Sequence, residues 1–147
     1  MITKEELIEG TKWENIPKDH QNNLLDLLAK LNLIRAKWAK PEIVSSGYRS
    51  LSQHLAIYKK KGITDQKLIP MKSRHLSGQA ADIGDADTKT PGNQILEFQQ
   101  WCRDNESWLL NEVGVWIEDF AHTTSWVHFQ SVPYGSWKPG KSIFFNP

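Results

Sequence analysis

The ten residues Ser73-Arg74-His75-Leu76-Ser77-Gly78-Gln79-Ala80-Ala81-Asp82 constrain this chain more than any other stretch. A histidine and an aspartate stand seven apart, with Gly78 and two small alanines between them. That spacing lets a tight loop turn back into a strand, with the imidazole at its mouth and the carboxylate along it. The two side chains then converge, and the small residues between them leave room and let backbones approach. A catalytic zinc takes three ligands from His, Asp, Glu or Cys and keeps a fourth position for water. A His and an Asp at this distance are also common by chance, so the pair alone does not decide for a metal.

Upstream of this stretch the patterns are mainly helical. Thr3-Lys4-Glu5-Glu6 reads as a capping box opening a short helix that fades at Gly10. After Pro17, Leu24, Leu25, Leu27, Leu28, Leu31, Ile34 and Trp38 recur at helical spacing, until Pro41 stops them. Glu42 to Gly47 reads as a short strand running into a turn, and Ser50-Leu51-Ser52-Gln53 as a second capping box. The helix it opens runs to Lys61, with Gly62 as its stop and Lys59-Lys60-Lys61 as a solvated end suited to the dipole.

Downstream, strands and helices interleave. Residues 63 to 74 read as a loop, and Gln79 to Ile83 as a strand. Thr90-Pro91-Gly92-Asn93 marks a turn, Ile95 to Arg103 a helix, and Trp108 to Leu110 a further helical turn. Val113 to Asp119 and Ser125 to Ser131 form a hairpin signal, followed by an irregular tail from Pro133 to Gly140. The order of elements predicts an α+β fold, with a small antiparallel sheet and helices packed on one side. Leu28, Leu31, Ile34, Leu55, Ile95, Phe98 and Trp101 are expected in the core.

Composition narrows what such a fold can do. At 147 residues, 39% apolar and 24% charged, the chain suits one domain over 1–147 with a core that needs no staples. Eighteen basic residues face seventeen acidic ones without a basic tract, which argues against a nucleic-acid partner. No window approaches the ~20 apolar residues of a membrane span. The start, Met1-Ile2-Thr3-Lys4-Glu5-Glu6, lacks a signal-peptide pattern, so the protein is expected to be made in the cytoplasm as it stands. A substrate outside the cell would then require another route of export. Cys102 is alone and reads as a buried small hydrophobe. Among the seven tryptophans, Trp126 and Trp137 flank the region of interest.

Three segments in order, Ser46-Gly47-Tyr48-Arg49, the Ser73–Asp82 string, and Ser125-Trp126-Val127-His128-Phe129, resemble one family. The central string carries every fixed position of Ser-x-His-x-x-Gly-x-Ala-x-Asp, the signature of the zinc D-alanyl-D-alanine peptidases. That family includes vancomycin-resistance dipeptidases, L-alanyl-D-glutamate endopeptidases of phage lysins, and murein endopeptidases. It shares its fold with the hedgehog signalling domain. The resemblance covers roughly residues 43 to 137. It implies that His75, Asp82 and His128 hold zinc, that Arg49 meets the substrate's carboxylate or peptide oxygens, and that Ser73 supports the site or touches substrate. Arginine suits that role through its bidentate, permanently charged fork. Trp126 is expected beside the substrate, Gln53 matches a polar position of relatives, and His20, His54 and His122 fall outside the motifs. His20 and His54 are expected on the surface. The implied partner is the peptidoglycan stem peptide and the expected state a monomer, acting at the cell wall if the chain is a phage lysin.

The general base departs from the family pattern. Relatives place an acid three residues before the last ligand, where this chain has Ser125, or a histidine two before it, where it has Trp126. Others use a Glu at the end of the preceding strand, and here Glu118 and Asp119 are the candidates. In an antiparallel hairpin, opposed residues share a face and faces alternate. With the turn centred on Thr123, Glu118 lies opposite His128 and Asp119 faces away, so Glu118 is the choice and Asp119 the alternative. Two rival readings stay open: a zinc-binding domain of this fold without catalysis, which an absent acid would favour, and a cell-wall binding module.

Overall fold

Helices begin where the sequence supplies caps. Thr3 Oγ1 accepts from the Glu6 backbone N–H and opens α1, Lys4–Ile8. Pro17 precedes the longest helix, α2, Lys18–Trp38, which buries Leu24, Leu27, Leu31 and Ile34 and ends on Ala39 in the left-handed region, two residues before Pro41. Ser50 and Gln53 form the full reciprocal capping box of α3, Leu51–Lys60. The side chain of Gln53 is spent on the backbone N–H of Ser50 at 2.9 Å, which gives it a structural role. A computed structural model describes residues 1–84 and 93–147. The turn expected at Thr90-Pro91-Gly92 therefore lies outside the described residues. Helix α4, Asn93–Asp104, follows, then α5, Glu106–Trp108, which widens into a π turn over Leu109–Val113 closed by Gly114 at φ 81°.

The sheet has five strands: β1 Ile43–Ser46, β2 Ala80–Gly84, β3 Trp116–Glu118, β4 Trp126–Gln130 and β5 Phe144–Phe145, in the order β1-β2-β4-β3-β5. All neighbours are antiparallel except β3 and β5. The architecture is the expected α+β, with the apolar face of the sheet fully buried through Ala81, Ile83, Ile117, Val127 and Phe129. Phe98 of α4 packs on Phe129 with ring centroids 6.0 Å apart, and Trp38 of α2 packs on Phe98 at 5.1 Å. Cys102 is buried, as expected. Among the described residues no helix is long and apolar enough to cross a membrane.

Several expectations need correction. Leu55 is only half-buried, and the fully buried residue of α3 is His54, which was expected at the surface. Its Nε2 donates to the Pro70 carbonyl at 3.0 Å, anchoring the loop after α3. Burial pushes its pKa down; the Pro70 hydrogen bond opposes this, and the charges of Arg49, His75 and Lys61 add to it. His20 is likewise only partly exposed, its Nδ1 3.2 Å from the Tyr48 hydroxyl. Leu28 and Trp101 pack on the core without being fully buried. The 63–74 loop contains one helical turn, Gln66–Leu68. The tail from Pro133 to Gly140 is irregular, as expected, and the short strand β5 follows it.

Candidate metal centre

The register of the sheet lines up one row of residues. Asp82 pairs with His128 across β2 and β4, and Ser46 pairs with Asp82 across β1 and β2. Ile117 pairs with Phe129, so the next pair sets Glu118 opposite His128; Glu118 in turn pairs with Phe145 of β5. Ser46 reaches this row only because the β1–β2 register shifts between Val44 and Ser46. Without that irregularity Ser46 would share the face of Val44, since faces alternate along a strand. The row Ser46, Asp82, His128, Glu118, Phe145 thus crosses all five strands on the face opposite the apolar core.

His75 joins from outside the sheet. It lies in the helical turn Arg74–Ser77, which runs into β2 through Gly78 at φ 75°. A Cβ on Gly78 would come within 2.8 Å of Leu24 Cγ and 2.9 Å of the His20 carbonyl, so only glycine lets this turn sit against α2. Gly47 is equally constrained: a Cβ there would meet the Leu7 carbonyl oxygen at 2.1 Å. The carbonyl of Gly47 accepts from His75 Nδ1 at 2.9 Å, and the Arg49 backbone N–H donates to the His75 carbonyl at 3.1 Å. The Ser46–Arg49 motif therefore grips His75 from both sides. Ser46 Oγ accepts from Arg49 Nε and Nη2 at 3.2 and 2.9 Å, which holds the guanidinium in place.

The proton positions follow from the partners. A carbonyl only accepts, so His75 carries its proton on Nδ1 and turns a bare Nε2 toward Asp82 Oδ1, 3.4 Å away. Gln130 Nε2 donates to the Val132 carbonyl at 2.8 Å, so its Oε1 faces His128 Nε2 at 3.3 Å and accepts from it. His128 Nδ1 is then bare and lies 2.9 Å from the same Asp82 oxygen. Ligand atoms of His75, Asp82 and His128 lie within 4.8 Å of one another. Three lone-pair donors aimed at one point repel unless a cation or a proton sits among them, and hydrogen-bonded imidazoles paired with a carboxylate are the donor set zinc takes. These residues fit that ion.

Electrostatics agree with this geometry. Burial alone would raise the pKa of Asp82, but when protons stand in for a cation on the facing nitrogens of His128 and His75, their hydrogen bonds and charge hold the carboxyl well below the usual range. Burial would lower His128, yet the Asp82 carboxylate and then the charge of Glu118 keep it above its ordinary value. The carboxylates thus draw positive charge to this point.

A cleft of about 560 Å³ opens over the row, and Arg49, Ser73, His75, Asp82, Glu118, Trp126 and His128 all line it. Asp119 does not; its carboxylate accepts from the Ala121 N–H at 2.9 Å in the β3–β4 turn. His122 is exposed in that turn and lies outside the cleft lining. Trp137 is not among the lining residues but directly follows Tyr134, Gly135 and Ser136, which are, and packs edge-on against Trp116 at 5.2 Å. Ser73 lines the cleft without capping the Arg74–Ser77 turn. Sequence reading missed Gln130, Tyr134 and Phe145. Gln130 could have been found, because it stands two residues after His128 on the same face of a strand.

Comparison with known proteins adds one finding: the model of a family described as Peptidase M15 matches residues 1–129. No curated protein and no solved structure matched the chain.

Proposed function

This chain belongs to the peptidase M15 family, the zinc D-Ala-D-Ala carboxypeptidase family, and from that premise we propose that it hydrolyses peptide bonds in the stem peptides of bacterial peptidoglycan. The observation that carries the reading is the convergence of bare His75 Nε2, bare His128 Nδ1 and Asp82 Oδ1 on the floor of a cleft that also holds an acid, Glu118. His75, Asp82 and His128 hold zinc. When bound, zinc supplies Lewis acidity, polarising the scissile carbonyl and making water acidic enough to attack at neutral pH.

The chain's own residues do the rest. Glu118 accepts a proton from the attacking water as the C–O bond forms, and returns it to the leaving amine as the C–N bond breaks. Arg49, fixed by Ser46, binds the substrate carboxylate or the peptide oxygens through its fork. Ser73 and Trp126 contact the substrate from the cleft walls. A zinc-binding domain without catalysis is the main rival, and a carboxylate on the cleft wall opposite His128 weighs against it.

Digestion of purified peptidoglycan by the zinc-loaded protein, with mass spectrometry of the products, tests the reading. New peptide termini are expected, and they identify the bond. An intact digest, with zinc fully bound, overturns the peptidase assignment.

A further inference from the structure

We propose that Tyr134 and Phe145 form an apolar subsite for the residue on the leaving-amine side of the scissile bond, an inference that rests on the peptidase reading above. Both residues lie beyond residue 129, where the family match ends, so this wall of the cleft belongs to the chain's own C-terminal segment.

The wall is built with care. In β5, Phe144 and Phe145 point to opposite faces. Phe144 packs edge-on against Phe120 at 5.5 Å, with the Arg103 guanidinium 5.5 Å from its ring, and so anchors the strand from behind. Phe145 faces the cleft, where its ring is stacked on Tyr134 at 5.1 Å and 27° and stands edge-on to His128 at 6.3 Å. The Tyr134 hydroxyl donates to the Ser142 carbonyl at 2.8 Å, which pins that ring and uses up its proton. Both rings are only half-buried, although Ile143, two residues before Phe145, is completely covered. Rings held this firmly and left half-open present an apolar surface to whatever enters.

Position then assigns the occupant. Glu118 pairs directly with Phe145. If Glu118 returns the proton to the leaving nitrogen, the residue bearing that nitrogen must lie beside it, and therefore against Phe145. Arg49, held by Ser46 at the β1 end of the row, far from β5, also lines the cleft with Lys72, and these cations suit an anionic group. The cleft is thus polarised, and the leaving-side residue it selects has an alkyl side chain, not a charged or hydroxylated one.

The test uses the full chain with zinc and a panel of acyl-alanyl-X peptides, X being Ala, Leu, Ser or Asp in both hands. The parent should prefer Ala or Leu over Ser and Asp by at least about tenfold in kcat/KM, the usual discrimination of an apolar pocket. Phe145→Ala and Tyr134→Ala should shrink that preference to about twofold, mainly through KM, with zinc content and melting temperature retained. Should Phe145→Ala fail to fold, Tyr134→Ala, outside any strand, decides alone. A parent that cleaves the panel without preference, or a zinc-loaded Tyr134→Ala that keeps the parental preference, overturns the subsite while leaving the peptidase reading intact. In parallel, leucine amide and serine amide are titrated into the parent and ring-proton NMR signals followed. If no peptide is cleaved but leucine amide alone shifts the Phe145 and Tyr134 rings, the subsite holds and the peptidase reading falls. If neither happens, both fall.

Discussion

The two faces of the sheet are made by alternate residues of the same short strands, yet they follow different rules. On one face Ala81, Ile83, Ile117, Val127 and Phe129 are wholly buried against helices. On the other, Asp82, His128 and Glu118 are left partly open to a cleft. The buried face fixes the register, because a slip of one residue would drive Asp82 and His128 into the core. The open face inherits atomic positions it has done little to stabilise. Chemistry at this site is therefore located by packing on the far side of the backbone, and the two faces should respond differently to substitution.

The largest separation is expected at Glu118. Glu118→Gln keeps size but cannot take a proton at neutral pH, so kcat on stem peptides should fall about 10²–10⁴-fold with zinc content and melting temperature unchanged. Asp119→Asn should change turnover far less, since that carboxylate serves the turn at Ala121. Equal losses in the two variants would break the alternation argument. On the buried face the effect should be on stability: Phe129→Ala should cost about 3–5 kcal/mol in denaturant unfolding. It should also loosen zinc through the shifted register of β4. A variant that keeps its stability would show that the buried face does not set the register.

A smaller effect is expected behind the sheet, at Glu42. Neither of its buried carboxylate oxygens has a hydrogen-bond partner among the described residues. Burial pushes its pKa up from 4.5 to about 8, with Arg35 opposing. Between those values the folded chain binds this proton more tightly than the unfolded chain. Unfolding then releases it, and stability should fall as pH rises through the window, by a few kcal/mol at most. Glu42→Gln should flatten that slope, measured by urea melts across pH 4.5 to 8, and an unchanged slope would assign it to other groups.

The contrast between the faces also explains what could be read in advance. Alternation is a local property, so the opposition of Glu118 and His128 followed from the hairpin pattern, as did the caps at Thr3 and Ser50. The convergence of His75, Asp82 and His128 was legible through the family resemblance. What escaped depends on contacts between distant segments. His54 is buried in place of Leu55 because its ring finds a carbonyl at Pro70, which α3's own periodicity cannot reveal. The irregularity that turns Ser46 toward Asp82 exists only in the pairing of β1 with β2. Strand β5 is two residues long after a Pro- and Gly-containing tail, and only its pairing with β3 makes it a strand. Phe145 was missed for that reason.

Metal stoichiometry tests the central claim most directly. Purified protein equilibrated with zinc and dialysed should retain about one zinc per chain, with two imidazole nitrogens at ~2.0–2.1 Å and one carboxylate oxygen in its X-ray absorption spectrum. His75→Ala and His128→Ala should each lose most of that metal while Glu118→Gln keeps it. Full occupancy in both histidine variants, or none in the parent, would contradict the account.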